Sequence, residues 1–174
     1  MRGAAELPRG HKLFLNCSAH GLADAETLSA SLVALAAASG LRPADLVLEI
    51  TERVAVTVWT DFRRRVDRLR DVGFEIAIDD MGAGYSSLHS VAEVEPDYLK
   101  FDISLVRDIH RSPIKRGLLE SLEVLARRMG AQVIAEGVEQ DEERRTLREM
   151  GVELAQGYLF SPPAGLRTYV PGPA

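Results

Sequence analysis

Along most of the chain one order of residues returns: a helix-length stretch with an apolar stripe, a glycine or short turn, a short apolar run, then one polar side chain. Phe62, Val66 and Leu69 recur at helical spacing, Gly73 follows as a stop, and Phe74-Glu75-Ile76-Ala77-Ile78 is a strand-length run delivering Asp79. Leu118, Leu122, Leu125 and Met129 make the next stripe, Gly130 ends it, and the run from Ala131 to Ala135 delivers Glu136. Leu147 and Met150 then lead to Gly151, and the run from Val152 to Ala155 delivers Gln156. Lys12 to Leu15 before Asn16, Leu46 to Leu48 before Glu49, and Tyr98 to Phe101 around Lys100 complete six strand-like units. The alanine-rich stretch from Leu28 to Ala38 predicts a packed helix.

Strands alternating with helices predict an α/β fold with a parallel sheet, and polar groups at the strand C-termini predict a site on that face. A barrel and an open α/β sheet both fit. Barrel geometry is favoured, because an open doubly wound sheet concentrates its polar residues near one switch point. No linker divides the 174 residues, so one domain is expected, with residues 164–174 as a frayed tail.

The net charge of -5 argues against a broad basic surface, and so against duplex nucleic acid as a partner. A single cysteine, Cys17, excludes an intramolecular disulfide framework. No run approaches the roughly 18 apolar residues of a membrane span, and the N-terminus lacks a signal-peptide pattern, so a cytoplasmic location is expected.

The densest chemistry lies in Ile78-Asp79-Asp80-Met81, followed by Gly82-Ala83-Gly84-Tyr85-Ser86-Ser87-Leu88. Successive strand side chains point to opposite faces, so Asp79 and Asp80 reach one site only if the strand stops and the backbone turns, which Gly82 and Gly84 permit. Asn16, Glu49, Asp79, Asp80 and Glu136 offer hard oxygen donors that suit Mg²⁺ or Mn²⁺ better than zinc, and the histidines at 11, 20, 89 and 110 lack ligand spacing. One or two such cations would offset the repulsion between adjacent carboxylates. Two ions about 3.5–4 Å apart can activate a water and steady the leaving oxygen of a phosphodiester. Lys100 could orient that water or offset phosphate charge.

Each residue also has a plainer role. Asp79-Asp80 suits a turn with a capping acid, and Lys100 can pair with Asp102 on the same strand face. Glu52 reads as a helix-start acid, Glu139 and Gln156 as helix-start and strand-end polar residues, and Cys17 and the histidines as structural. Asp141-Glu142-Glu143-Arg144-Arg145 reads as a solvated helix start.

The runs Leu13-Phe14-Leu15-Asn16-Cys17-Ser18, Leu48-Glu49-Ile50-Thr51-Glu52, Asp79 to Leu88, Lys100-Phe101-Asp102, Ala135-Glu136-Gly137-Val138-Glu139 and Gln156-Gly157-Tyr158 resemble, in order, the successive motifs of the EAL family. The resemblance extends from about Leu13 to Pro163. It implies a TIM-type (β/α) barrel that hydrolyses cyclic di-GMP to linear pGpG. It also implies that Asn16, Glu49 and Asp79 serve a first metal site, with Asp79 shared, and that Asp80 and Glu136 serve a second. Lys100 then corresponds to the lysine that contacts the catalytic water, Glu139 and Gln156 to positions near the bound nucleotide, and Glu52 to the glutamate anchoring the mobile loop after Asp80.

In one respect the chain departs from the family pattern. The signature Glu-Ala-Leu motif, whose glutamate is a metal ligand, belongs well before Asn16, and the fifteen residues preceding Asn16 do not contain it. An incomplete barrel of about six of the eight βα units is therefore expected, without the first two strands. Its open edges near Leu13 and Gln156 would favour self-association or a partner domain that completes the barrel. Three functions follow: a metal-dependent cyclic di-GMP phosphodiesterase, a degenerate domain binding the nucleotide or a signalling protein without turnover, and, apart from the resemblance, a barrel enzyme using Mg²⁺ and a lysine for enolate or carbonyl chemistry.

Overall fold

Six parallel strands form one sheet whose spatial order is the order of the chain. The computed structural model describes residues 10–17, 22, 24–51, 59–82 and 87–163. The strands are β1 (Leu13–Cys17), β2 (Leu46–Thr51), β3 (Glu75–Met81), β4 (Tyr98–Phe101), β5 (Gln132–Ala135) and β6 (Leu154–Ala155). Between them run helices α1 (Ala25–Ala38), α2 (Trp59–Val72), α3 (Ser87–Val94), α4 (Ile103–Val106), α5 (Pro113–Met129) and α6 (Asp141–Glu149). Parallel neighbours cannot be joined by a hairpin, so each strand needs a crossover, and the helices supply it. A doubly wound sheet reverses its strand order at a switch point, and this one never does. The topology is that of an incomplete (β/α) barrel.

The alternation of strand side chains divides the interior in two. Leu48, Ile50, Ile76, Ile78, Leu99, Phe101, Val133 and Ala135 join the main core, together with Phe62, Val66 and Leu69 of α2 and Val91 and Val94 of α3. The opposite face carries a smaller apolar cluster of Val47, Ala77, Tyr98 and Ile134, with Phe14 packed against it. Phe14 and Tyr98 meet edge to face, with ring centroids 5.3 Å apart. Below this layer Tyr98 donates its hydroxyl to Glu75 Oε2 at 3.1 Å, and Lys12 reaches Glu75 Oε1 at 2.5 Å. Burial, with help from the Glu75 charge, pushes the Tyr98 hydroxyl up to about 12. The apolar layer thus rests on a polar base, leaving the C-terminal ends of the strands for a site.

The helices follow their sequence signals with two corrections. Helix α5 starts at Ser112, whose side chain accepts from Lys115 N, has Pro113 in its first turn, and ends at Gly130 with φ +78°. Its buried face carries Leu119, Glu123 and Ala126, while Leu118 is 47% exposed. The expected stripe through Leu118 is therefore rotated, because Glu123 takes a buried position by pairing with Arg127 at 2.7 Å. Helix α1 forms as expected, but Val33 and Leu35 are exposed, so only part of its apolar surface is packed.

Candidate metal centre

The strand that carries Asp79 and Asp80 does not stop at them. β3 continues to Met81, and its pairing with β4 slips: Ile78 sits opposite Leu99, and Met81 opposite Phe101. Two residues of β3, Asp79 and Asp80, therefore stand across from one of β4, Lys100, in a bulge. Asp80 turns there with φ +60°, a left-handed conformation that aspartate tolerates better than most side chains. The turn thus begins at Asp80 itself, and Gly82 continues it with φ +105°; Gly84 lies outside the described residues.

Adjacent strands supply the other groups. Thr51 pairs with Asp79 and Glu49 with Ala77, so Glu49 and Asp79 share the inner face; Lys100 pairs with Ile134 and takes the same side. Lys100 Nζ lies 2.6 Å from Glu49 Oε1, 2.6 Å from Glu136 Oε1 and 3.1 Å from Asp79 Oδ1. Carboxylate oxygens of Asp79, Asp80 and Glu136 lie within 4.8 Å of one another. Gln156 Nε2, just beyond β6, donates to Glu136 Oε1 at 2.6 Å. Asn16 is exposed on β1, in register with Glu49.

Burial makes this cluster electrostatically tense. On its own it would push the Lys100 ammonium down, but hydrogen bonds and charge from Glu136 and Glu49 hold it above the ordinary lysine range. Burial raises the Glu136 carboxyl; Lys100 opposes that rise, and the charges of Asp79 and Glu49 reinforce it. Three carboxylates hold one ammonium and a fourth, that of Asp80, lies close to two of them, a donor set made only of hard oxygens with an excess of negative charge. Such a set fits a divalent oxygen-seeking cation.

Not every expected residue joins the cluster. Glu139 points its carboxylate to Arg107, whose Nη2 donates at 2.8 Å. Glu52 lies outside the described residues. Asp102 is not the partner of Lys100: it caps α4 by accepting from Ser104 N at 2.8 Å. Glu143 is the residue the sequence reading missed. It is 1% exposed rather than solvated, with Oε1 accepting from Asp108 N at 2.8 Å and Oε2 from Glu139 N and Gln140 N at 3.0 and 3.1 Å. Burial raises this carboxyl, but the three backbone donors outweigh it and hold it below the ordinary glutamate range. The spacing Gln140-x-x-Glu143 is a capping-box signal and could have revealed this role. Asp108, His110 and Glu143 come close enough to suggest a second cation cluster, but the Glu143 oxygens already serve backbone donors.

The chain matches the model of the family described as EAL domain over residues 1–163. It is 36% identical over 136 residues to the cyclic di-GMP phosphodiesterase RocR of Pseudomonas aeruginosa, covering 78% of this chain and 35% of RocR. Klebsiella pneumoniae BlrP1, solved as a calcium and cyclic di-GMP complex, superposes with a TM-score of 0.85 at 40% identity, covering 92% of this chain and 41% of that one. BlrP1 has also been solved with manganese and cyclic di-GMP. The EAL domain of Mycobacterium smegmatis DcpA superposes with a TM-score of 0.87 at 32% identity, covering 95% of this chain and 74% of that one. The chain thus spans about a third of RocR's length. No helix among the described residues is long and apolar enough to cross a membrane.

Proposed function

Because the chain belongs to the EAL-domain family, we propose that it is a metal-dependent phosphodiesterase domain that hydrolyses cyclic di-GMP to linear pGpG. The observation that carries this reading is the bulge in β3 at Asp79 and Asp80, whose carboxylates come together with that of Glu136. Asn16, Glu49 and Asp79 would hold one ion, and Asp79, Asp80 and Glu136 a second, with Mg²⁺ or Mn²⁺ as the ions the oxygen donors suit. Such ions supply an activated water and charge compensation for the phosphate.

The protein's own part is to hold these groups in place. Lys100, tied to Glu49, Asp79 and Glu136, keeps the carboxylates of three strands drawn together. Its ammonium is also the cation nearest their convergence, and it is the donor that would orient the attacking water or meet a phosphate oxygen. Gln156 donates to the same Glu136 oxygen that Lys100 holds. Glu139 would act near the nucleotide only on leaving Arg107, so its first role is to brace the loop after β5.

The test is to incubate the purified chain with cyclic di-GMP and Mn²⁺ or Mg²⁺, follow pGpG by chromatography, and measure nucleotide binding with Ca²⁺ in place of the metal. Turnover that Asp79→Asn abolishes supports the hydrolase. Binding without turnover would instead assign a non-catalytic nucleotide-binding domain, and absence of both would reject the reading.

A further inference from the structure

We infer that Ile103, in the short helix α4, is a positioning residue that sets the separation between the Asp79-Asp80 and Glu136 halves of the carboxylate cluster. This inference rests on the metal-site reading above and names the part of the fold that gives the site its width.

The two halves sit on strands that do not touch. Asp79 and Asp80 belong to β3 and Glu136 follows β5, with β4 between them. Whatever continues β4 therefore governs their distance. One hydrogen bond ties each side to that continuation: Asp102 N donates to Met81 O at 3.1 Å, and Glu136 N donates to Phe101 O at 3.0 Å. Helix α4 begins immediately afterwards and presses on a glycine at each side. Leu105 lies on Gly82, two residues after Asp80, and Ile103 lies on Gly137, next to Glu136.

The two contacts differ in how far they can yield. A Cβ on Gly82 would meet the outer atoms of Leu105, with Cγ at 2.6 Å. A Cβ on Gly137 would lie 2.5 Å from Ile103 Cγ1 and 2.7 Å from Ile103 Cβ, which is fixed to the backbone of α4. A β-branched side chain also has little rotamer freedom with which to move aside. Nor can α4 easily retreat. Val106 and Ile109 are fully buried, Arg107 is bonded to Glu139, and Asp108 N is held by Glu143. Ile103 is thus a stop against which the backbone carrying Glu136 rests.

The experiment compares Gly137→Ala, Ile103→Ala and a double variant that joins Gly137→Ala to Ile103→Gly in the full chain. Mn²⁺ affinity is measured by electron paramagnetic resonance, and stability by urea unfolding. Gly137→Ala and Ile103→Ala are each expected to bind Mn²⁺ about tenfold more weakly, the size of loss seen when the support of a metal ligand is removed. Ile103→Gly should recover part of the affinity lost in Gly137→Ala, because only loss of the Ile103 Cβ vacates the space the new Cβ needs, while the left-handed backbone at Gly137 (φ +67°) keeps its own strain. Parent-like Mn²⁺ affinity in Ile103→Ala, or a double variant no better than Gly137→Ala, would overturn the inference. If Gly137→Ala does not fold, the Mn²⁺ affinity of Ile103→Ala decides, a loss supporting the stop and a parent-like value overturning it.

Metal-free crystal structures separate this inference from the metal-site reading. Should the parent chain bind no Mn²⁺, the metal-site reading falls. An Asp80 to Glu136 oxygen separation beyond 4.8 Å in Ile103→Ala still supports the stop, and an unchanged separation sinks it.

Discussion

Lys100 is 4% exposed and holds three carboxylates at bonding distance, so its charge helps to hold the structure together. Removing one partner of a buried ion pair leaves the other uncompensated, at a cost of about 3–5 kcal/mol. Lys100→Met should lose stability of that order at pH 7, and regain part of it when Mn²⁺ is added or when the pH falls into the carboxylate range. Urea unfolding at pH 7 and pH 5, with and without metal, checks this. Glu143 titrates in the opposite sense to Glu136. Its folded-state value lies below the ordinary glutamate range, so its contribution is fully present above that range and is lost as the pH falls through the lowered value. Glu143→Gln should cost about 2 kcal/mol at pH 7, by leaving backbone donors poorly paired, and the deficit should shrink in urea unfolding at pH 3.

Among the elements, α5 gives the sharpest contrast between neighbouring positions. Leu119 is fully buried and Leu118 is not, so Leu119→Ala should cost about 3 kcal/mol and Leu118→Ala under about 1 kcal/mol in thermal or urea unfolding. Periodicity missed this because Glu123, a charged residue paired with Arg127, occupies the buried face and pushes an apolar count one position over. The strands were more legible. All six follow from short apolar runs, with Gly73, Gly130 and Gly151 marking where helices end before β3, β5 and β6. The bulge in β3 was not legible, since it exists only in register against β4. Helix α4 was invisible for another reason: four residues do not complete two turns, so no helical period appears. The site was read through the residues that end strands, and what escaped was how those ends are held apart.

Across the whole molecule, the sheet has two outer edges. Among the described residues no strand pairs with the free side of β1 or of β6, and a cavity of about 480 Å³ bordered by Phe14, Tyr98, Ile134 and Leu154 lies where those edges face each other. Unpaired edges beside apolar surface favour pairing with another chain. Light scattering on the purified chain should show a mass that rises with concentration, and a constant monomer mass at high concentration would oppose this. The left-handed backbone at Asp80 has a different consequence for the molecule's history. Asparagine accepts that conformation about as readily as aspartate, and glycine more so, yet neither brings a carboxylate. A change at one codon can therefore remove this carboxylate while the same helices and edges are inherited. On the metal-site reading, a hydrolase and an inert look-alike would then be near neighbours in sequence space.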